Sequence, residues 1–156
     1  MADRVIRELV NPLTEWVYVK PQCTVSELIQ VFFKMQNFKE DKEPLVLVTD
    51  DRDHVVGIVT PVDILKVVEP TFMKPEYNCV VSWDGLFTQR CRNISDKLVS
   101  AIMRFPVIVR LDDNLMKAAH LVNKHGVDTI LVVENDRPVG TINVDALFRA
   151  VAVAVA

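Results

Sequence analysis

Apolar positions along this chain follow two rhythms, helical spacing and short unbroken runs, and the rhythms return in the same order in the two halves. Val5, Ile6, Leu9 and Val10 recur at helical spacing before Asn11-Pro12 closes the run, which predicts a short first helix. The β-branched and aromatic Trp16-Val17-Tyr18-Val19, closed by Lys20-Pro21, predicts a short strand. Thr24-Val25-Ser26-Glu27 has the form of a capping box, in which hydroxyl and carboxylate each serve an amide left unpaired by the first helical turn. Leu28, Ile29, Phe32, Phe33 and Met35 extend that helix with a broad apolar face, until the charged stretch from Asn37 to Pro44 breaks it. Leu45 to Thr49 and His54 to Val59 read as the strands of a hairpin turning at Asp50 to Asp53, and a helix runs on through Val68.

From Glu69 to Asn93 the pattern lapses, with Pro70, Pro75, Trp83-Asp84-Gly85, Arg90 and Arg92 among scattered apolar residues. The stretch reads as a long connector with a short helix near Leu86, of a length more often functional or interfacial than idle. The first half then recurs. Ser95-Asp96 caps a helix through Met103, Pro106 to Val109 is a strand, and Asn114 caps a helix from Leu115 to Lys124 stopped by Gly126. Thr129 to Val133 and Arg137 to Ile142 form a hairpin around Glu134-Asn135-Asp136, and a last helix runs from Val144 into a Val-Ala tail. The chain thus divides into a repeat over 1–69, a connector over 70–93 and a second repeat over 94–156.

Each hairpin ends on the same motif. Gly57-Ile58-Val59-Thr60-Pro61-Val62-Asp63 carries an apolar strand through a Thr cap and a Pro at the first helical position, whose missing N–H costs nothing there. Gly140-Thr141-Ile142-Asn143-Val144-Asp145 repeats it with one residue fewer and Asn as the cap. The protein has only 4 glycines, and two of them hold this matching place. An ionised aspartate accepts hydrogen bonds through two oxygens and suits a cis-diol, while the amides and dipole at a helix start favour an anion. The competing reading is purely local: Asp63 folds back onto the Thr60 amide as a capping box, and Asn143 and Asp145 simply stabilise a helix start.

In the glycine, the apolar residues, the capping side chain and the aspartate, the motif resembles that of the tandem cystathionine-β-synthase (CBS) domain pair, or Bateman module. The likeness covers nearly all of the chain outside the connector and tail. It implies an α/β (α+β) fold of two CBS repeats with pseudo-two-fold symmetry, small mixed sheets each packed against helices, and clefts between the repeats that take adenosine-containing ligands. Carried over, Ile58, Thr60 and Asp63 in the first repeat and Ile142, Asn143 and Asp145 in the second form the ligand sites. The aspartates accept from ribose hydroxyls and Thr60 donates to a phosphate or ribose oxygen. Some family members place a basic residue ahead of the hairpin to hold phosphates, but Glu43-Pro44 and Asp128-Thr129 stand there in this chain. Countercharge would have to come from Arg104, Arg137, Lys66, Arg90 or Arg92, which leaves AMP or S-adenosylmethionine as plausible as ADP or ATP.

Composition narrows the remaining classes. Half of the 156 residues are hydrophobic, enough for a sizeable core, and a net charge of −3 gives no reason to expect nucleic acid. Cys23, Cys79 and Cys91 lack paired spacing and read as reduced thiols of a cytoplasmic protein, with no signal peptide and no membrane-inserting segment. His120 and His125 are spaced wrongly for one helical face, so no metal site is expected, and no Ser/His/Asp or Cys/His set indicates catalysis. The expectation is a regulatory module that is not an enzyme, requires no cofactor, binds an adenine nucleotide or S-adenosylmethionine, forms a homodimer and signals to an unidentified effector protein. The rival is a dimerising interaction module with no small-molecule ligand, supported by the apolar tail and by Trp83, Leu86 and Phe87.

Overall fold

The computed structural model describes residues 3–12, 16–35, 44–69 and 85–156. In chain order these form a 3₁₀ turn η1 (Ile6–Glu8), strands β1 (Asn11–Pro12) and β2 (Tyr18–Val19), helix α1 (Val25–Lys34), strands β3 (Val46–Thr49) and β4 (Val55–Val59), and helices α2 (Pro61–Val68) and α3 (Leu86–Ile94). A second 3₁₀ turn η2 (Val99–Ala101), strand β5 (Ile108–Arg110), helix α4 (Leu115–His125), strands β6 (Thr129–Glu134) and β7 (Arg137–Asn143) and helix α5 (Val144–Val155) complete the chain.

These elements gather into two compact units, one from the described residues of 16–105 and the other from those of 1–15 and 106–156. In the unit of 16–105 a three-stranded sheet has the order β2-β3-β4, with β2 parallel and β4 antiparallel to β3. Val46, Val48 and Val59 from this sheet pack with Val25, Leu28 and Phe32 of α1 and with Val99 and Ile102 in its core. The other unit holds a four-stranded sheet of order β1-β7-β6-β5, in which β5 runs parallel to β6 and the rest are antiparallel. Its core joins Ile130, Val132 and Ile142 to Val109, Ala118 and Ile6. The mixed α/β class and the two small mixed sheets are those the resemblance implies.

Local chemistry sets the helix starts. The Thr24 hydroxyl accepts from the Glu27 amide and the Glu27 carboxylate accepts from the Thr24 amide, each at 3.2 Å, completing the capping box foreseen for α1. Asn114 Oδ1 accepts from the Lys117 amide at 2.9 Å, and Gly126, with φ of 61°, closes α4 in the left-handed conformation. Between β6 and β7, Asn135 and Asp136 both have positive φ, the geometry of a two-residue hairpin turn.

The segments leading into each repeat differ from expectation. Instead of a helix from Asp3 to Val10 there is one 3₁₀ turn, and instead of a helix from Ser95 to Met103 there is another. The reason is the same in both. The amides of Ile6 and Arg7 donate to the carbonyls of Asp113 and Leu111, and those of Val99 and Ser100 to the carbonyls of Cys23 and Pro21, so the leading amides of each segment are tied sideways and only the following ones bond along its axis. Ile6 therefore packs with the body of the second repeat, and Val99 with that of the first. The two units consequently interleave the repeats instead of following their order in the sequence. Of the stretch read as a connector, residues 70–84 lie outside the described residues, and the short helix near Leu86 is α3, which runs to Ile94.

Candidate functional site

The strand-to-helix junction of the first repeat is built around Asp63. Thr60 is extended, as the last residue before Pro61 opens α2, and its amide donates to Asp63 Oδ2 at 2.8 Å. The Thr60 hydroxyl lies 3.1 Å from the same oxygen and donates to it. Arg104 reaches the other carboxylate oxygen, with Nε 2.7 Å from Oδ1, although its N–H is not aimed along that line and the contact is an ion pair rather than a directed hydrogen bond. Asp63 is 3% exposed and the Arg104 side chain 24%. Arg104 itself is held by its backbone, which exchanges two hydrogen bonds with Ile58, of 2.9 and 3.0 Å. Ile58, Thr60 and Asp63 thus stand together in one unit, with the Ile58 side chain in the core.

The matching junction of the second repeat is open. Asn143 Oδ1 accepts from the Ala146 amide at 2.8 Å and caps α5. Asp145 follows in the first turn, its Oδ2 3.0 Å from Arg149 one turn further on, with both side chains largely exposed. Ile142 is buried beneath the junction. Ile142, Asn143 and Asp145 therefore also cluster, but around an exposed carboxylate.

Correspondence between the junctions extends to a lead-segment position, held in the first repeat by Arg104, which the sequence offered only as one of several possible countercharges. Arg104 bridges to Ile58, the residue after Gly57, and Asn11 pairs with Thr141, the residue after Gly140. Arg104 and Asn11 occupy equivalent places, so the lead segment brings a cation to the first junction and a neutral amide to the second, where the arginine on Asp145 comes from its own helix. The signal available in the sequence was the shared position of these residues just after the apolar pairs Ile102-Met103 and Leu9-Val10. Of the other cations weighed as countercharge, Arg90 is engaged elsewhere, donating from Nε to the Val68 carbonyl and from Nη2 to the Val67 carbonyl at the end of α2.

Other chemistry is sparse. Among the described residues no group of three His, Cys, Asp or Glu could hold a metal ion, and no helix is long and apolar enough to cross a membrane. Cys23 and Cys91 are free thiols, and burial, reinforced by the neighbouring Glu27 carboxylate, pushes the Cys23 thiol up to about 11. Such a thiol is a poor nucleophile at neutral pH.

The family model of the CBS domain matches residues 6–70 and 99–153. The chain belongs to the CBS domain family. Its two matched segments are the two repeats, in the tandem arrangement of CBS-pair proteins. Among solved structures, the CBS-pair protein CBSX2 from Arabidopsis thaliana superposes with a TM-score of 0.67 at 21% identity, covering 98% of this chain and 97% of that one. CBSX2 in complex with AMP gives 0.60 at 21% identity, covering 97% and 98%. The CBS domain pair of protein MJ0100, in complex with 5′-methylthioadenosine and S-adenosyl-L-methionine, gives 0.64 at 14% identity, covering 98% and 99%. At these identities the likeness establishes a common CBS-pair fold. No curated protein matches the chain in sequence.

Proposed function

We propose that the chain is a regulatory module that binds an adenosine-containing ligand, AMP, ADP, ATP or S-adenosylmethionine, at the strand-to-helix junctions of its two CBS repeats, and that it carries out no chemistry of its own. The observation that carries this reading is the double placement of an aspartate in the first turn of a capped helix, directly after the last strand of each hairpin. At such a place a carboxylate for a ribose diol and amides for an anion lie within one turn of each other. The CBS pairs of the same fold that hold AMP, or 5′-methylthioadenosine and S-adenosyl-L-methionine, support the ligand class. Asp63, Thr60 and Ile58, and Asp145, Asn143 and Ile142, are the residues assigned to the ligand, in a cytoplasmic protein with reduced thiols and no resident cofactor.

Calorimetric titration of the full chain with AMP, ADP, ATP and S-adenosylmethionine tests the reading. Saturable heat with at least one of them is expected, weakened by Asp145→Ala. Absence of heat and of any thermal shift with all four overturns it.

A second reading, self-association without a small ligand, is favoured by α5. That helix has no fully buried residue, and Phe148, Val151, Val153 and Val155 stand exposed along it. Self-association is common to both readings, and only the first adds a ligand whose state the homodimer passes to an effector protein. Sedimentation as a monomer at micromolar concentration would remove the dimer.

A further inference from the structure

We propose that Arg104 makes the Asp63 site selective for 5′-phosphorylated nucleosides over neutral nucleosides, and that the Asp145 site lacks this selectivity. The inference rests on the reading of the Asp63 junction as a nucleotide site and names the ligand class it takes.

The argument begins with the acceptor capacity of Asp63. A carboxylate offers about four lone-pair directions. Thr60 uses two on Oδ2, through its amide and hydroxyl, and Arg104 covers Oδ1 at 2.7 Å. A cis-diol needs two acceptors, so it can engage Asp63 only if the Arg104 guanidinium gives up Oδ1. The Arg104 backbone is fixed to Ile58 by two hydrogen bonds, so the side chain turns while its base stays beside the site. Among the described residues its Nε has no directed acceptor, and the guanidinium has five N–H donors in all.

A mostly buried guanidinium deprived of its carboxylate is strongly disfavoured unless a new anion takes the vacated place. A 5′-phosphate on the ribose that displaced it supplies that anion and is suited to a forked guanidinium. Adenosine or 5′-methylthioadenosine supplies none and leaves the cation unpaired. At the second junction the equivalent residue is the neutral Asn11, and among the described residues Asp145 is paired with the exposed Arg149 alone. Displacing a surface pair of that kind costs little, so phosphate brings no comparable advantage there.

The test is calorimetric titration of the full chain with AMP, adenosine and 5′-methylthioadenosine, for the wild type, Arg104→Gln and Arg104→Lys, in Asp145→Ala and Asp145 backgrounds. The wild type is expected to show one site that prefers AMP over adenosine by about ten- to hundredfold, retained in Asp145→Ala. Arg104→Gln brings that preference to within about threefold, chiefly by weakening AMP, and Arg104→Lys keeps an intermediate preference. Equal affinity of the wild type for AMP and adenosine, or a preference that survives in a folded Arg104→Gln chain, overturns the assignment while leaving the nucleotide-binding reading in place. Heat from none of the three ligands overturns both. If Arg104→Gln does not fold, the wild-type ratio and the Arg104→Lys ratio decide.

Discussion

Gly140, in the middle of β7, faces the backbone of Asn11 so closely that a Cβ at position 140 would lie 2.5 Å from the Asn11 carbonyl oxygen and 2.7 Å from Val10 Cγ2. Gly57 holds the same place in the first repeat, where a Cβ would meet Met103 Sδ at 2.6 Å. Both glycines of the motif therefore mark where a lead segment crosses the hairpin. Gly140→Ala must push back the backbone of a paired strand and is expected to cost about 1–3 kcal/mol, whereas Gly57→Ala meets a flexible thioether and costs less. Urea unfolding of the two variants checks the order; a Gly57→Ala loss as large as that of Gly140→Ala would contradict it.

Arg90 ties α3 to the end of α2 by donating to the Val67 and Val68 carbonyls at 2.9 and 3.0 Å. These are among the carbonyls that a helix end leaves unpaired. Arg90→Ala is expected to lower stability by about 1.5–3 kcal/mol, and Arg90→Lys to recover only part, since a single ammonium nitrogen lacks the fixed planar fork that sets Nε and Nη2 on two carbonyls. Chemical denaturation measures both.

Acid should loosen the turn before α4. Asp113 accepts from the Arg110 amide at 2.8 Å and from Lys117 Nζ at 2.9 Å, and these, the amide first, hold its carboxyl below the usual range. A carboxylate whose folded pKa is depressed contributes stability above its unfolded pKa, and that contribution fades as pH falls through the folded value. Asp113→Asn is therefore expected to flatten the acid side of the melting-temperature curve. Some slope remains, because Asp50, through the His54 and Arg52 amides, and Glu8, through Arg4, are shifted in the same direction. An unchanged acid limb would count against the role of Asp113.

Cys23 gives the opposite sign at high pH. Its folded pKa of about 11 lies above the ordinary thiol value of 9.0, so the protonated thiol favours the folded state at neutral pH, and that contribution is lost as pH rises from 9 through 11. In a Cys79→Ser, Cys91→Ser chain, alkylation of Cys23 at pH 7.5 is expected to be about a hundredfold slower than in the urea-unfolded chain, following thiolate fraction. Equal rates in the two states would show that the thiol is not shifted.

What the sequence by itself determined is local. The capping box at Thr24 and Glu27, the Asn caps at 114 and 143, the Gly126 stop and the two hairpins each depend on partners a few positions apart or on strands joined by a short turn, so spacing alone reveals them. The repeat and the two aspartate motifs were legible for the same reason. Tertiary structure decided which body each lead segment joins, because amides such as those of Ile6 and Val99 find acceptors remote in sequence and so form 3₁₀ turns where apolar spacing predicts longer helices. It also decided that Asp63 is buried against Arg104 while Asp145 stays exposed. A carboxylate's neighbours depend on which distant strand lies beside it, and no periodicity within either repeat carries that information.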